Sequence, residues 1–385
     1  MKPNPHSNTG SFAAMARVAI AMMVHSRLKT LGTLIGVVFA VVLSGQALGT
    51  LSGLIFKNLM YVRHAGADIW MTPPATQTLQ AGKNINLASL MTARTTPGVA
   101  WADPLLFGGA VVSLPTGGTE PVTVVGVGSD RHGGPWNMVQ GTPDVLEQPD
   151  TMIFEDSERE TLGGLNTGSV QEVNGRRAVA GGFTWGLVPF GPSYAFADYD
   201  FARLLLHTQR DQASFVLVGV APGHDPVAVA KELAARAPET KVMTQSEFEA
   251  SIVRYLLVST PIGMTLGVST IFGVLVGFII VTLSMFSAVV DNLREFGTLK
   301  AMGATTSDLT KLLLVQSVVF ALAGSVIGLG LTTTIAGALR SAKLTILQTP
   351  ELMAGTVVVM MLLCIVASSL SLLRLARLEP AMVFK

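Results

Sequence analysis

Cysteine is nearly absent. The one present, Cys364, lies inside a hydrophobic run, so no disulfide framework holds any part of the chain together. Charge is also scarce, at 13% Asp, Glu, Lys and Arg against a usual ~25%, and the net charge is only +1. Lys and Arg form no basic patch away from the hydrophobic segments, which excludes nucleic-acid binding. A phosphate-binding loop is missing as well. The Gly82-Lys83 pair is followed by Asn84 and has no glycine at the required earlier place, so the chain cannot hold ATP through a Walker motif.

The chemistry of an active site is equally thin. Six histidines (His6, His25, His64, His132, His207, His224) are too dispersed for metal-ligand spacing. Gly267-Val268-Ser269 lacks the closing glycine of a nucleophile elbow, because residue 271 is Ile. The acidic pairs Glu155-Asp156 and Glu158/Glu160 fall in one polar stretch and are expected to face solvent. No catalytic residue, metal site or cofactor site is expected in this chain.

Long apolar runs, by contrast, are plentiful. Residues 31–56, 262–290, 312–339 and 352–373 contain no Asp, Glu, Lys or Arg. Crossing a hydrocarbon core of about 30 Å takes about 20 helical residues, and each run is long enough. The layout predicts an α-helical membrane protein with four transmembrane helices, one followed by three. A large extracytoplasmic domain, residues 57–261, is expected between the first and second spans. The first run is too long for the apolar core of a cleaved signal peptide.

Orientation follows the positive-inside rule. With the N-terminus inside, the inner flanks carry Lys2, Arg17, Arg27, Lys29, Arg294, Lys300, Lys311, Arg374, Arg377 and Lys385, against Lys57, Arg63, Arg254, Arg340 and Lys343 outside. That bias places residues 1–30, the loop 291–311 and the tail 374–385 in the cytoplasm, and the short loop 340–351 outside.

The large domain reads as mixed α/β. Residues 107–114 and 121–127 are β-rich around a turn containing Gly117 and Gly118, predicting a hairpin. The run 214–220, the helical pattern 226–236 and the strand-like 240–243 form a strand, helix, strand succession. Residues 140–205, rich in turn formers, are expected to form an inserted β-rich subdomain. An amphipathic segment, 245–258, ends just before Pro261 and predicts a helical stalk into the second span. Trp70, Trp101, Trp136 and Trp185 all fall in this domain, where packing in its core is the expected role.

The loop after the second span is patterned. Leu293, Phe296, Leu299 and Met302 recur at threes, giving a surface helix with an apolar stripe. Gly303 is a natural helix stop, and Thr305 with Asp308 reads as a capping-box start for the next helix. In detail, Arg294-Glu295-Phe296-Gly297-Thr298-Leu299-Lys300-Ala301-Met302-Gly303-Ala304 resembles the signature of FtsX/MacB-type ABC-transporter permeases, and its wording looks most like the DevC branch. The resemblance extends to an N-terminal amphipathic helix at 12–29, the one-plus-three layout and the closing Arg377-Leu378-Glu379-Pro380-Ala381. Gln316 departs from it, where many members carry Glu.

The resemblance implies a homodimer coupled to a separate cytoplasmic ABC ATPase dimer, which would carry the ATP and magnesium. It also implies that Arg294, Glu295, Phe296, Gly297, Leu299, Lys300, Ala301, Met302, Gly303 and Ala304 form the coupling surface. ATP-driven closure of the ATPase would push this loop, and the stalk would move the outer domain. A DevC-like relationship adds a membrane-fusion adaptor and an outer-membrane channel as partners, in the inner membrane of the cell. The spans contain no charges that would mark a solute path, which favours action on lipids, glycolipids or hydrophobic molecules at the external side. A regulatory permease like FtsX, activating an external cell-wall enzyme without transport, and a membrane-anchored structural protein with no ATPase are the competing readings.

Gly32/Gly36, Gly45/Gly49/Gly53, Gly273/Gly277 and Gly324/Gly328 recur at four-residue spacing in the spans. Such spacing lets helix backbones approach closely, although glycine is also simply common in membrane helices. The triple in the first span is the best candidate for a packing surface.

Overall fold

The computed structural model describes residues 8–25, 27–80, 83–189, 191–291, 297–298, 302, 305–338 and 346–375. They fall into two compact units, one centred on Gly53–Gly263, called the outer unit after the side expected for it from the sequence, and one made of the remaining helices, called the membrane unit.

The outer unit is a mixed α/β domain. Its strands are β1 (Ile69–Thr72), β2 (Ile85–Asn86), β3 (Val99–Ser113), β4 (Thr119–Val127), β5 (Met138–Gln140), β6 (Thr151–Glu155), β7 (Val170–Val173), β8 (Arg176–Thr184), β9 (Tyr194–Asp198), β10 (Gln212–Ala213), β11 (Phe215–Val220) and β12 (Lys241–Thr244). Among the described residues, ten of these form one sheet in the order β12-β1-β11-β3-β4-β9-β6-β8-β5, with β7 pairing β3 and β8. β3 and β4 are the expected hairpin, closed by the Leu114 N–H donating to the Gly118 carbonyl at 2.8 Å, with Gly117 in the left-handed region at φ +88. Residues 140–205 supply β6 to β9, and these continue the same sheet through the parallel pairing of β4 with β9.

Alternation along the strands builds two apolar layers. Ile69 and Met71 of β1, with Val216 and Val218 of β11, pack against helices α3 (Ala88–Arg94) and α5 (Pro226–Arg236). Trp70, Phe215 and Leu217 point the other way, into a cluster with Leu59–Val62 and with Phe248, Ile252 and Leu256. β1 is therefore buried on both faces. A third cluster packs Phe201, Ala202 and Leu205 of α4 (Tyr199–Leu205) under β4, β6, β8 and β9.

Helix ends follow their sequence signals. α5 starts at Pro226 behind Asp225, whose carboxylate accepts from the Val227 and Ala228 amides. α6 (Gln245–Ser259) opens with a full capping box: the Thr244 hydroxyl accepts from the Glu247 N–H, and the Glu247 carboxylate accepts from the Thr244 N–H.

The membrane unit contains α1 (Asn8–His25), most of α2 (Arg27–His64), α7 (Pro261–Asp291), α8 (Thr306–Ala338) and α9 (Pro350–Leu375). Among the described residues, four helices are long and apolar enough to cross a membrane: Thr30–His64, Pro261–Leu283, Ser307–Ala338 and Pro350–Ser369. α2 runs beyond its charge-free stretch, and Leu59, Met60, Tyr61 and Val62 in its last turns are core residues of the outer unit. Val37, Ala40 and Val41 of α2 meet Val281 of α7, Phe320 and Leu329 of α8, and Met360 and Cys364 of α9 in the membrane unit's core.

Candidate functional site

The stretch expected to couple to an ATPase, Arg294–Ala304, lies between α7 and α8. Gly297 and Thr298 are helical, and Met302 sits in a turn with its N–H donating to the Thr298 carbonyl at 3.0 Å and its side chain 72% exposed. Arg294, Glu295, Phe296, Leu299, Lys300, Ala301, Gly303 and Ala304 lie outside the described residues, as do Arg377–Ala381 of the closing motif. The start of α8 is built as its sequence spells it. Thr305 donates its hydroxyl to Asp308 Oδ2 at 2.7 Å, the Asp308 N–H donates back to Thr305 Oγ1 at 3.3 Å, and Lys311 reaches the same carboxylate at 3.5 Å. This cap fixes where the stretch ends and the third span begins.

α1 packs along α8. There Gln316, almost fully buried, donates its Nε2 to the Ala19 carbonyl at 3.4 Å. An ionised Glu could not make that donation, because a carboxylate only accepts. The departure noted at Gln316 thus has a local structural consequence: it ties the N-terminal helix to the third span.

Glycines bring the helices together. A Cβ at Gly328 of α8 would lie 2.7 Å from Val41 Cβ, and Gly324 leaves still less room against Val37. Gly277 of α7 admits Ala40, while Gly273 keeps ordinary distance from Leu43 and Ser44. In α2, a Cβ at Gly45 would lie 3.3 Å from Thr332 Cγ2, Gly53 is buried, and Gly32 has open space around it. A Cβ at Gly49 would lie 2.6 Å from Gln348 Nε2, and the loop 346–348 is bonded to the glycine carbonyls: Leu347 N–H to Gly49 O at 3.0 Å and Gln348 Nε2 to Gly45 O at 3.1 Å. Gly45 and Gly49 therefore also expose backbone acceptors to a loop, a role that four-residue spacing does not signal.

The outer unit has several built corners that sequence reasoning missed. Glu155 and Glu158, expected to face solvent, are buried. Glu155 ends β6 beneath the loop after β8, and its carboxylate accepts from Ser157 Oγ and Gly186 N on one oxygen and from Thr184 Oγ1 and Leu187 N on the other, at 2.6–3.0 Å. Four donors replace the water it loses. Only Asp156 and Glu160 of that set stay partly or fully exposed. A second corner joins Asp103, almost fully buried, to Arg94 at 3.3 Å and to His132, whose ring stacks on Trp101 at 3.6 Å. The same loop accepts the Tyr61 hydroxyl at the Gly133 carbonyl, 2.6 Å away, and stacks Trp136 on His64 of α2. Of the four tryptophans, Trp70 is core, Trp101 and Trp136 are half-buried, and Trp185 departs from the expected packing by being 51% exposed.

Two cavities stand out by their lining. One of about 370 Å³ in the outer unit is bordered by Arg131, Glu147, Asp150 and Asp198, with Arg131 paired to Asp144 at 2.9 Å and Glu147 at 2.7 Å. The other, about 290 Å³ in the membrane unit, is lined mainly by apolar side chains such as Ala40, Leu48, Val274, Val359 and Leu363, with Ser44 and Thr356 as its hydroxyl-bearing residues. Among the described residues no group of three His, Cys, Asp or Glu could hold a metal ion.

Residues 267–380 match the family model described as the FtsX-like permease C-terminal. This part of the chain is similar to the C-terminal region of FtsX-like permeases. It begins within α7, runs past α9 and contains the whole stretch Arg294–Ala304. No curated protein matches the chain. Among solved structures, the extracellular domain of YknZ, a noncanonic ABC-type transporter from Gram-positive bacteria, is 13% identical at a TM-score of 0.35, covering 46% of this chain and 99% of that one. The periplasmic region of MacB from Actinobacillus actinomycetemcomitans is 11% identical at 0.38, covering 50% and 95%. A domain of a putative permease protein from Porphyromonas gingivalis is 15% identical at 0.32, covering 46% and 88%.

Proposed function

We propose that the chain is the membrane subunit of an ABC transporter, transmitting ATP-driven motion of a separate ATPase to its outer domain. The observation that carries this is the permease match itself, because it contains the patterned stretch between two membrane-length helices. The sequence contains no Walker loop, and the reading places ATP hydrolysis on a separate ATPase. Arg294, Glu295, Phe296, Gly297, Leu299, Lys300, Ala301, Met302, Gly303 and Ala304 form the surface that ATPase presses. Two copies of the chain act together in the inner membrane, with both termini and the coupling stretch in the cytoplasm. The exposed apolar row Ile271, Phe272, Leu275 and Ile279 on α7 supports this, as a surface suited to lipid or a second span.

The cargo is a lipid, glycolipid or other hydrophobic molecule, delivered with a membrane-fusion adaptor and an outer-membrane channel. Charge-free spans and an apolar membrane cavity support handling of an apolar substrate rather than an ion. Co-purification of the tagged chain from its native membrane tests the whole reading, with partners identified by mass spectrometry and ATP hydrolysis assayed. A stoichiometric ATPase with an adaptor is expected. An ATPase with a cell-wall enzyme would instead establish a regulatory permease, and absence of any ATPase would overturn both. Within the complex, Glu295→Ala with Lys300→Ala should abolish ATPase retention, and undiminished retention would remove the coupling assignment.

A further inference from the structure

The loop after β8 holds a large aromatic side chain in the open on a rigid base. Trp185 donates its N–H to the Asn137 carbonyl at 3.0 Å, and Asn137 Nδ2 donates back to the Trp185 carbonyl. The next two amides, of Gly186 and Leu187, both donate to the buried Glu155 carboxylate. The backbone is thus fixed on both sides of an exposed indole. Val139, in the neighbouring strand β5, is exposed as well, at 54%.

The position of this corner identifies what it contacts. Leu187 belongs to the same buried cluster as Leu59 and Met60 of α2, and Ile55 packs against that cluster. Ile55 is among the last residues of the charge-free run 31–56, and Lys57, the first charge after it, lies within the field of Glu155. The exposed indole is therefore tied to the part of α2 where hydrocarbon gives way to water. Tryptophan favours this zone, since its ring is apolar and its N–H needs a polar partner.

We propose that Trp185 seats in the lipid headgroup layer beside the point where α2 leaves the membrane, giving the outer domain a second contact with the bilayer. The partner is the leaflet on the domain's own side. A domain resting on lipid at Trp185 tilts against the membrane as its stalk moves rather than swinging freely. This inference requires only that α2 spans a membrane, and it stands or falls independently of any ATPase.

Quenching of tryptophan fluorescence in the full chain, reconstituted in vesicles of zwitterionic lipid, tests it. The wild type is compared with Trp185→Phe, and the difference between them isolates the Trp185 emission. Lipids brominated near the glycerol end of the acyl chain are expected to quench that component, aqueous iodide is not, and most of the bromolipid-sensitive signal should vanish in the variant. Quenching by iodide but not by bromolipid would overturn the proposal in favour of a water-facing indole. Quenching by neither would overturn it in favour of a protein partner or a second copy covering the residue. Trp185→Phe leaves the four hydrogen bonds to Glu155 untouched, and an unchanged unfolding temperature checks that the fold is intact.

Discussion

At the scale of single residues, the outer unit is organised by charges taken out of water and fully bonded. Glu155 is the clearest, with four donors converging on its two oxygens and almost no solvent contact. Removing the carboxylate takes this partner from the Gly186 and Leu187 amides and the Ser157 hydroxyl, at about 1–3 kcal/mol for each group left unpaired in the interior, while the Thr184 hydroxyl keeps the Phe154 carbonyl at 3.3 Å. Glu155→Ala is expected to destabilise the outer unit by about 3 kcal/mol or more, lowering the unfolding temperature by roughly 6–12 °C for a unit of this size. Fluorescence-monitored melting of the full chain in detergent measures it; a loss below about 1 kcal/mol would mean that water replaces the carboxylate. Nothing in the sequence announced this residue, because Glu155 sits beside Asp156, Glu158 and Glu160 and composition cannot tell a solvated acidic stretch from one carboxylate turned inward.

Elements were legible where one-dimensional signals decide them. The hairpin β3–β4, the capped helix α5 and the Thr305–Asp308 start of α8 follow from turn formers, caps and periodicity in their own residues. β1 was not legible, since its four residues are buried on both faces and show no alternation of polar and apolar side chains. Nor did the sequence reveal that β6–β9 extend the main sheet, because that depends on pairings such as β4 with β9, about seventy residues apart in the chain. Glycine spacing raised a packing hypothesis without saying which glycines meet a neighbour. In the membrane unit, Gly324→Ala and Gly328→Ala should each destabilise by about 1–3 kcal/mol, because a methyl has no room against Val37 or Val41. Gly330→Ala, with nothing within 4 Å, should not. Equal unfolding temperatures for all three would show that the helices do not pack as described.

Another tie between elements carries a pH signature. Arg63 near the end of α2 donates through Nε and Nη2 to Glu249 of α6, at 3.0 and 2.8 Å, and Gln245 donates to the other oxygen at 3.0 Å. Burial alone would raise the Glu249 carboxyl, but these bonds and the Arg63 charge outweigh it and hold the carboxyl below its usual range. The unfolded chain therefore takes up the proton first. The tie contributes fully above the ordinary Glu value of about 4.3 and is lost as pH falls through the lower folded value. Glu249→Gln should flatten the acid side of the stability profile in that window and leave neutral pH little changed beyond the lost charge. An unchanged acid slope would assign the acid sensitivity to other carboxylates.

At the scale of the whole molecule, the proposed transmission of ATP-driven motion would pass through short covalent junctions, and the one before α7 is a break between two helices rather than a continuous rod. Thr260 is extended between α6 and α7, its hydroxyl donating to the Leu256 carbonyl at 2.6 Å and accepting from the Gly263 N–H at 3.1 Å. Gly263 has no side chain, and a Cβ there would run into that same carbonyl. A bulkier residue must open the joint and break both bonds, at the backbone of Leu256 and away in sequence from Arg294–Ala304. Gly263→Val is therefore expected to leave assembly with the ATPase intact while weakening the transmission of its motion. Hydrogen exchange in the outer domain of the assembled complex, with and without ATP, reads this directly: the wild type should change protection on adding ATP, and the variant should change it several-fold less. An equal ATP response in both would show that transmission bypasses this joint, leaving the exit of α2 at Lys57–His64 as the connection that carries it.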